Sequence, residues 1–369
     1  MRVLIDHQVS SLHDTGGVAR YSYELGRYLS CTDGVDVELA VGLNSSIYPF
    51  AALTGNASRI YQRRTKMRAG VPRYVANELL TNALGVIRGR FDIYHSTYYR
   101  AAPLVRCRRL VATHYDCIHE IFPEMFRNTK LIVACKTRLY SKADVIICIS
   151  ESSRKDLLHY YSVDPERTCV IHLGLTGFGG DPSRDEPEAL KDEPYLLYVG
   201  ARTAHKGFGR LLDAYASSGL SGSYLLRVVG GGEFTDAETA GIRVLELDNK
   251  IRLVPRASER TLAAMYRYAS LLVYPSLYEG FGFPPLEAMS LGCPVLASNT
   301  SSIPEICGEA AFYFDPSLPG ALESALRTIL ADRAHITEMV AKGRVQSARY
   351  TWERTAEQTL EVYRKVLSQ

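Results

Sequence analysis

The sequence predicts an α/β protein made of two doubly wound, Rossmann-like domains that face each other across a cleft. Short apolar, β-branched runs alternate with helical patterns along the whole 369-residue chain, which is typical of parallel sheets wrapped by helices. The alternation breaks once, in a glycine- and proline-rich segment at residues 174–192, and then resumes. A chain of this length also favours two domains, at roughly 150 residues per domain.

The first domain is predicted over residues 1–175. Strands are expected where apolar and β-branched residues run together, at 2–5, 35–41, 93–95, 110–113 and 145–149. Helices are expected between them, at 18–29, 128–141 and 152–160. The segment 174–192, with four glycines, two prolines and then a charged run, is predicted to be a linker.

The second domain is predicted over residues 192–350 by the same alternation. Its expected strands are 195–199, 224–229, 251–254, 271–274 and 294–297, and its expected helices are 208–217, 259–269, 285–291 and 320–330. A last helix is predicted at 352–367, because four apolar residues share one side of it: Trp352, Ala356, Leu360 and Tyr363.

The composition excludes several classes of protein. With 46% hydrophobic and 22% charged residues, the chain is typical of a soluble globular protein. We expect no membrane-spanning helix, because no apolar run reaches about 18 residues, and the N-terminus reads as a strand rather than a signal peptide. Eight scattered cysteines without a C-x-x-C pair indicate reduced thiols in the cytoplasm and no zinc site. A net charge of +3 gives no reason to expect nucleic acid.

Charge is concentrated in one segment, residues 59–90, which holds eight basic residues and a single acid, Glu78, among many apolar residues. Two interpretations stay open. The segment is either a solvated helical surface or a basic, amphipathic element that meets an anionic membrane or an acceptor lipid phosphate. The basic residues are Arg59, Arg63, Arg64, Lys66, Arg68, Arg73, Arg88 and Arg90.

Two glycine loops are candidates for binding a phosphate through the backbone. Gly16 and Gly17 open a predicted helix, so amide groups and the positive helix end can meet an anion, although such a pair also makes an ordinary turn. Gly231 is the middle of three consecutive glycines after the predicted strand 224–229. These glycines permit close approach of a ligand or form a plain tight turn.

A third loop adds positive charge to a strand end. Gly200 closes the predicted strand 195–199, and Arg202 and Lys206 follow it. The Arg202 fork and the Lys206 ammonium can neutralise a phosphate. The alternative is a solvated basic turn. A position at the carboxyl edge of a parallel sheet, where ligands bind, favours the functional interpretation.

The stretch 274–289 carries the densest pattern in the chain. Glu279 and Glu287 lie eight residues apart, Gly280 and Gly282 lie between them, and two prolines start a predicted helix. Carboxylates suit sugar hydroxyls, and bare amides suit a phosphate. Glu287 near a helix N-terminus also has a purely structural explanation, but two glutamates, two glycines and two prolines in this order exceed what a helix cap requires.

His114 and Asp116 follow the predicted strand 110–113 and are candidates for the same cleft, although a lone histidine is more often structural. Arg256, directly after the predicted strand 251–254, is a candidate for contacting a nucleobase.

Together these loops resemble the retaining, nucleotide-sugar glycosyltransferases of the GT-B fold, in glycosyltransferase family four with its E-x7-E element. The resemblance covers most of the chain and is most specific over residues 275–289, with support from residues 150–153 and 302–308. The overall pattern looks most like bacterial mannosyltransferases of polysaccharide and O-antigen assembly.

The resemblance implies a role for each motif residue. Glu279, with amides around Phe281 and Gly282 beside Gly280, is expected to hold the donor sugar, and Glu287 the ribose. Arg202 and Lys206 are expected to neutralise the diphosphate, with Gly16 and Gly17 approaching from the other domain. Where the family shows His-Asp before Phe-Pro-Glu, this chain places Tyr115 at the histidine position and Asp116 at the aspartate position. The helix 352–369 is expected to cross back to the first domain.

We therefore expect a cytoplasmic hexosyltransferase, peripheral at the inner face of the plasma membrane, that moves mannose from GDP-mannose to a saccharide or lipid-linked saccharide. No cofactor is expected, and no metal, because the chain has no Asp-x-Asp pair for a bridging ion. Three alternatives stay open: another donor such as GDP-rhamnose or a UDP-sugar, a GT-B-fold sugar-nucleotide epimerase, and a non-catalytic subunit that docks on membranes.

Overall fold

The computed structural model describes residues 1–14, 16–50, 53, 58–99, 105–178 and 193–369. Of the predicted linker 174–192, residues 179–192 lie outside the described part. The chain forms two compact units. The first holds Met1–Gly174 together with Thr351–Gln369, and the second holds Leu175–Tyr350.

The first unit is built on seven parallel strands in the order β3-β2-β1-β4-β5-β6-β7. The strands are β1 (Arg2–Ile5), β2 (Asp36–Asn44), β3 (Ser58–Arg64), β4 (Phe91–Ser96), β5 (Cys107–His114), β6 (Val145–Cys148) and β7 (Thr168–Val170). The helices are α1 (Gln8–Leu12), α2 (Gly17–Ser30), α3 (Val71–Arg88), α4 (Ile118–Ile121), α5 (Thr129–Lys142) and α6 (Glu151–Tyr160).

The central strands of this sheet are apolar on both faces, because helices cover both sides of a doubly wound sheet. In β1, Val3 pairs with Val37 on one side and with Ile93 on the other, and all three side chains are fully buried. Chain order reverses between β1 and β4. A crevice for ligands is therefore expected at the carboxyl ends of these two strands.

The C-terminal helix α14 (Trp352–Ser368) belongs to the first unit. Trp352 and Tyr363 are buried, and the Tyr363 hydroxyl lies 2.5 Å from Nδ1 of His95. The Thr355 hydroxyl donates to the carbonyl of His172 at 2.8 Å. Apolar burial and two buried hydrogen bonds thus fasten the helix to β4 and to the chain after β7.

The second unit is built on six parallel strands in the order β10-β9-β8-β11-β12-β13, with its reversal between β8 and β11. The strands are β8 (Tyr195–Val199), β9 (Leu225–Val229), β10 (Ile251–Val254), β11 (Leu271–Tyr274), β12 (Val295–Ser298) and β13 (Phe312–Phe314). The helices are α7 (Phe208–Ser217), α8 (Asp236–Val244), α9 (Glu259–Tyr268), α10 (Phe283–Ser290), α11 (Ile303–Cys307), α12 (Ala321–Ala331) and α13 (Arg333–Ser347).

The predicted fold class is confirmed, since both units are parallel sheets with the doubly wound strand order. The sequence did not reveal the strands β3, β7 and β13, each at an edge of its sheet, or the helices α1, α4, α8, α11 and α13. Strand β3, with the sequence SRIYQRR, pairs with β2 alone and so needs no continuous apolar run. The basic segment 59–90 is therefore a strand followed by α3, not one helical element. In the described part of the chain, no helix is long and apolar enough to cross a membrane.

Candidate active site

The strongest contact among the predicted site residues joins the loops after β8 and β11. Nζ of Lys206 lies 2.7 Å from both carboxylate oxygens of Glu279, and the Tyr274 hydroxyl donates to the same carboxylate at 2.6 Å. Burial alone would raise the pKa of Glu279, but the charge of Lys206 and hydrogen bonds from Lys206, Tyr274 and Ser276 outweigh it, so the pKa is lowered. Glu279 is therefore an ionised group that only accepts hydrogen bonds.

A glycine lets these two loops come together. Gly207 has a φ of +72°, and a Cβ at this position would lie 2.1 Å from the carbonyl oxygen of Pro275. The amide of Leu277 donates to the carbonyl of His205 at 2.7 Å across the same junction. Any side chain at Gly207 would push the Lys206 loop away from the Glu279 loop.

Arg202 braces the glycine loop that follows β9. Its guanidinium donates to the carbonyls of Gly230 at 2.5 Å and Glu233 at 2.7 Å, and its Nε donates to Oε1 of Glu238 at 2.7 Å. Burial would raise the pKa of Glu238, but hydrogen bonding from Arg202 and Thr235 lowers it. The Arg202 side chain is almost fully buried, so it holds this loop in shape.

The glycines at these strand ends are needed for close approach. A Cβ on Gly231, where φ is +76°, would lie 2.7 Å from Nη1 of Arg202. A Cβ on Gly230 would lie 3.1 Å from the carbonyl oxygen of Gly200. The structure thus brings Gly200, Arg202 and Gly231 to one edge of the second sheet, after β8 and β9. Of these two strands, β8 neighbours β11, which precedes the Glu279 loop.

Hydroxyls at the end of β12 and in the residues after it fix the backbone of the Glu279 loop, and of these only Ser302, as the start of the segment 302–308, was marked by the sequence pattern. The Ser301 hydroxyl accepts from the amide of Glu279 at 2.9 Å, and the Ser302 hydroxyl lies 2.9 and 2.7 Å from the carbonyls of Glu279 and Phe281. The hydroxyls of Ser298 and Thr300 both donate to the carbonyl of Ser276.

Ser301 also has a strained backbone, with φ at +50°. Left-handed conformations of residues other than glycine are uncommon and cluster at functional sites. The signal that could have revealed this group is the run of polar residues 298–302 directly after a buried strand.

The remaining residues of the E-x7-E stretch occupy the turn into α10. Gly282 precedes the helix with a φ of +117°, which favours glycine. Phe281 is buried against Phe283 and Tyr350, so it presents only its backbone to a ligand. Glu287 is buried in α10, where the Tyr266 hydroxyl donates to its Oε2 at 3.0 Å. Gly280 lies between the two groups, half-buried.

Arg256 lies at the outer side of this edge. It is exposed and follows β10, the edge strand of the second sheet. Ser258, two residues on, caps α9 by accepting from the amide of Thr261 at 3.0 Å. The predicted nucleobase contact of Arg256 is compatible with this place but has no contact in the structure to support it.

In the first unit, Gly16 and Gly17 lie where the sequence predicts, at the N-terminus of α2. Gly16 precedes the helix with a φ of +96°, and a Cβ there would meet no atom of the described residues within 4 Å. The glycine is therefore required by its backbone conformation rather than by a close contact with a described residue.

His114 and Asp116 are both at the carboxyl end of β5, but they differ in access. His114 is completely buried, with Nδ1 2.7 Å from the Tyr140 hydroxyl and Nε2 3.7 Å from Sγ of Cys117. Burial, with the nearby charge of Lys136, holds the pKa of His114 well below its usual value. This is the geometry of a neutral core histidine. Asp116 is half-buried and accepts from the amide of Ile118 at 3.3 Å.

Residues that the sequence did not single out line the same edge of the first sheet. Asp6, directly after β1, accepts from the amide and the hydroxyl of Thr97 at 3.1 and 2.6 Å. Tyr98 and Tyr99 follow, with ring centroids 4.3 Å apart, and Tyr115 packs near both rings. Asp6 follows a buried apolar strand, the position that could have marked it.

Comparison with known proteins assigns this arrangement to a family. Residues 15–176 match the family described as Glycosyltransferase Family 4, and residues 181–346 match the family described as Glycosyl transferases group 1. The chain belongs to the GT-B glycosyltransferases of these groups. In this glycosyltransferase, the matched segments contain all the predicted site residues.

Similar proteins include mannosyltransferases. O-antigen chain mannosyltransferase B of Escherichia coli is 27% identical over 70% of this chain and 71% of that protein. The serotype-specific mannosyltransferase WbdA of Escherichia coli is 28% identical over 62% of this chain, a match that spans only 29% of WbdA. The solved sucrose-phosphate synthase from Thermosynechococcus elongatus has a TM-score of 0.76 at 21% identity over 100% of this chain and 99% of that one, which shows the fold.

Proposed function

We propose that this glycosyltransferase transfers mannose from GDP-mannose to a saccharide or lipid-linked saccharide, with retention of anomeric configuration and without a metal ion. The observation that carries the proposal is the contact of Lys206 with Glu279 beside Arg202, at the carboxyl edge of the second sheet. A sugar diphosphate presents hydroxyls on one side and negative charge on the other. A carboxylate that only accepts hydrogen bonds suits the hydroxyls, and cations held in place suit the negative charge.

Each residue has a distinct part in the proposed donor site. Ionised Glu279 accepts hydrogen bonds from sugar hydroxyls, and Glu287 accepts them from the ribose. Lys206 and Arg202 stabilise the charge that develops on the leaving diphosphate, while the amides of Phe281 and Gly282 approach the donor. Lys206 forms an ion pair with Glu279. Donor binding then exchanges that contact for a phosphate on Lys206 and a hydroxyl on Glu279.

The proposed transfer passes through an oxocarbenium-like state. The bond from the anomeric carbon to the diphosphate breaks, and the acceptor hydroxyl attacks the same face. Its proton passes to the departing phosphate oxygen, so no side chain has to act as the base. His114 has no part in this scheme, because its ring is buried and bonded to Tyr140.

Metal independence has a direct test. If Arg202 and Lys206 supply all the positive charge, an excess of EDTA over the enzyme leaves the turnover rate unchanged. Loss of turnover on chelation, restored by added Mg²⁺ or Mn²⁺, overturns this part of the proposal. The side-chain clusters of the described residues offer no group of three metal-binding residues, so a restored rate would point to a metal carried by the donor itself.

The preference for mannose rests on the mannosyltransferases among the similar proteins. The test is a thermal-shift screen with GDP-mannose, GDP-rhamnose, UDP-glucose, ADP-glucose and TDP-glucose, followed by product analysis. A ligand present at about 100 times its dissociation constant stabilises the folded state by about 2.7 kcal/mol. Stabilisation by a UDP-sugar alone rejects GDP-mannose, and turnover of the donor without any acceptor indicates an epimerase.

We also propose that the enzyme acts in the cytoplasm at the inner face of the plasma membrane, in contact with anionic lipid through residues 59–90. The support is the exposure of Arg63, Arg64, Lys66 and Arg68 beside exposed apolar side chains of α3. Juxtaposed cations and apolar side chains bind anionic bilayers through both charge and burial.

A further inference from the structure

Helix α3 is inverted: its polar side chains face the core of the first unit and its apolar side chains face outward. The buried residues of the helix are Arg73, Asn77, Thr81 and Gly85. Its outward face is apolar from end to end, with Val75 at 52%, Leu79 at 67% and Val86 at 85% exposed. Further exposed apolar residues are Val71, Leu80 and Ile87. A surface helix normally has the opposite pattern.

Buried hydrogen bonds fix this orientation. Arg73 is fully buried and donates from Nε to the carbonyl of Ser11 at 3.0 Å and from Nη2 to Oδ1 of Asp14 at 2.7 Å. The Asn77 side chain accepts from the amide of Leu43 at 2.6 Å and donates to its carbonyl at 2.9 Å. Rolling the helix to hide its apolar face would leave these groups without partners in the core. The apolar face is therefore held outward by the fold.

An apolar groove runs between α3 and the edge strand β3. Its volume is about 910 Å³, and its walls are mostly aliphatic, with Tyr61, Gln62, Arg63 and Thr81 also in the lining. Binding sites for ligands of moderate size have volumes of about 300 to 1,000 Å³, so the groove is large enough for a hydrocarbon chain. Its lining includes Ile60, Ala76, Leu79, Leu80, Leu84 and Ile87.

Cations stand at one end of the groove. Arg63 lines it, and Arg64, Lys66 and Arg68 follow in the exposed connection to α3. Glu78, the single acid of the segment 59–90, is turned to His7, with 3.1 Å between Oε2 and Nε2. An aliphatic groove with a cationic mouth is complementary to an amphiphile with an anionic head.

We infer that this groove binds one hydrocarbon chain of an anionic membrane lipid, whose phosphate is met by Arg63 and its neighbours. The inference rests on the proposed membrane contact and extends it from general attraction to a defined chain-binding site. A second copy of the chain is a poorer occupant. A two-fold pairing through α3 would place the cationic connections of both copies in one interface, where like charges oppose binding.

The test uses the full chain with a single-chain probe, dodecyl phosphate below its critical micelle concentration, measured by calorimetry. Inorganic phosphate is the probe for the head group alone. We expect dodecyl phosphate to bind at least tenfold more tightly than phosphate. Ala76→Trp fills the groove, and Leu80→Gln makes its half-exposed wall polar with little risk to folding. Each is expected to weaken dodecyl phosphate binding about tenfold, while the matched change Val244→Gln, at an exposed valine of α8, changes nothing.

A second experiment distinguishes lipid binding in the groove from general contact with the membrane. Val86→Glu does not alter the groove lining but places a charge on the outward face, so it should weaken sedimentation with vesicles of 70% phosphatidylcholine and 30% phosphatidylglycerol and leave dodecyl phosphate binding intact. If both groove variants bind dodecyl phosphate like the unmodified chain while Val86→Glu still reduces vesicle binding, the groove inference falls and the membrane contact stands. The other outcome is that vesicles do not bind at all and that Val86→Glu abolishes self-association in light scattering. A second copy of the chain then covers the outward face of α3, and both the groove inference and the proposed membrane contact are wrong.

Discussion

Nζ of Lys206 lies 2.7 Å from each carboxylate oxygen of Glu279, across a separation of 73 residues in the chain. Both side chains are largely shielded, with 24% and 10% of their surface exposed. Removing either partner would leave the other charge without compensation in a shielded site, and the two losses should not add.

We therefore expect Lys206→Met and Glu279→Gln each to lower kcat/KM for the nucleotide sugar by about 10²- to 10³-fold, the size seen when one group that stabilises developing charge is removed. The double variant should lose clearly less than the product of the two. Lys342→Met is the control, because Lys342 forms a comparable pair with Glu338 at an exposed place. Additive losses in steady-state kinetics would contradict the coupling.

Arg202→Ala should lower kcat/KM by about 10²-fold, because the leaving diphosphate loses a cation and the glycine loop after β9 loses the side chain that holds its carbonyls. Arg202→Lys should recover only part of this, since one ammonium cannot span the carbonyls of Gly230 and Glu233 and the Glu238 carboxylate together. Arg243→Ala, at an exposed arginine of α8, serves as the control. Unchanged turnover of Arg202→Ala would remove Arg202 from the proposed donor site.

Ser302→Ala tests whether the hydroxyls after β12 position the Glu279 loop. The carbonyls of Glu279 and Phe281 lose the one hydroxyl donor that they share, which costs about 1 to 3 kcal/mol of folding stability. Because Glu279 is proposed to touch the sugar and not the nucleotide, affinity for GDP-mannose should fall about tenfold while affinity for GDP stays the same. Ser218→Ala, at a buried serine that donates to the Tyr215 carbonyl, should change neither. Equal loss of both ligands would mean a general structural effect.

Neutralising Arg63, Arg64 and Arg68 to glutamine should weaken binding to anionic vesicles. At about 1 kcal/mol per basic residue near the surface, the triple variant loses about a hundredfold, and the difference should shrink as salt is raised. The control changes three exposed arginines of the second unit, Arg243, Arg252 and Arg333. Vesicle sedimentation that is the same for both triple variants would reduce the segment to a solvated surface.

The folding stability of the first unit should depend on pH through His95. Burial lowers the pKa of His95 to about 4 from its ordinary 6.5. Between pH 4 and pH 6.5, His95 is protonated in the unfolded chain but neutral in the folded protein, so the unfolded state binds more protons. The stability is therefore fully present above pH 6.5 and falls as the pH drops toward 4. The change is worth about 3 kcal/mol. His95→Gln should make this part of the pH profile in urea unfolding less steep, whatever its effect on stability at pH 7, and the slope that remains is expected from His114, whose pKa burial also lowers. An unchanged slope would mean that other groups carry it.

The fold could be predicted from the sequence because buried parallel strands have a simple sequence pattern. Strands β1, β8 and β11 are short apolar runs with helices on both sides, and the predicted bounds 2–5, 195–199 and 271–274 coincide with the observed ones. Strand β3 was missed because it pairs on one side only, and a strand with one neighbour tolerates polar residues. Strand β13 was missed because it is only three residues long. The basic β3 then looked like part of a helix.

The sequence predicted which loops form the candidate site, but it did not predict the contacts between their residues. A glycine or a charged residue directly after a buried strand marks the ligand edge of a parallel sheet, and this rule led to Gly200, Arg202, Lys206 and Glu279. The rule does not show which residues contact one another. Arg202 meets Glu238 in the capping turn of α8, a helix that the sequence did not reveal. Ser301 and Ser302 reach the Glu279 loop from the end of the next strand.

The sequence by itself determined the two parallel sheets, the family and the order of the loops along each sheet edge, because these follow from local periodicity and from the position of residues relative to strands. Only the tertiary structure decided that Lys206 meets Glu279, that His114 is a buried and neutral core group, and that α3 turns its apolar face outward. Those outcomes depend on contacts between residues far apart in the chain and on which buried polar groups find partners. Local sequence pattern does not contain that information.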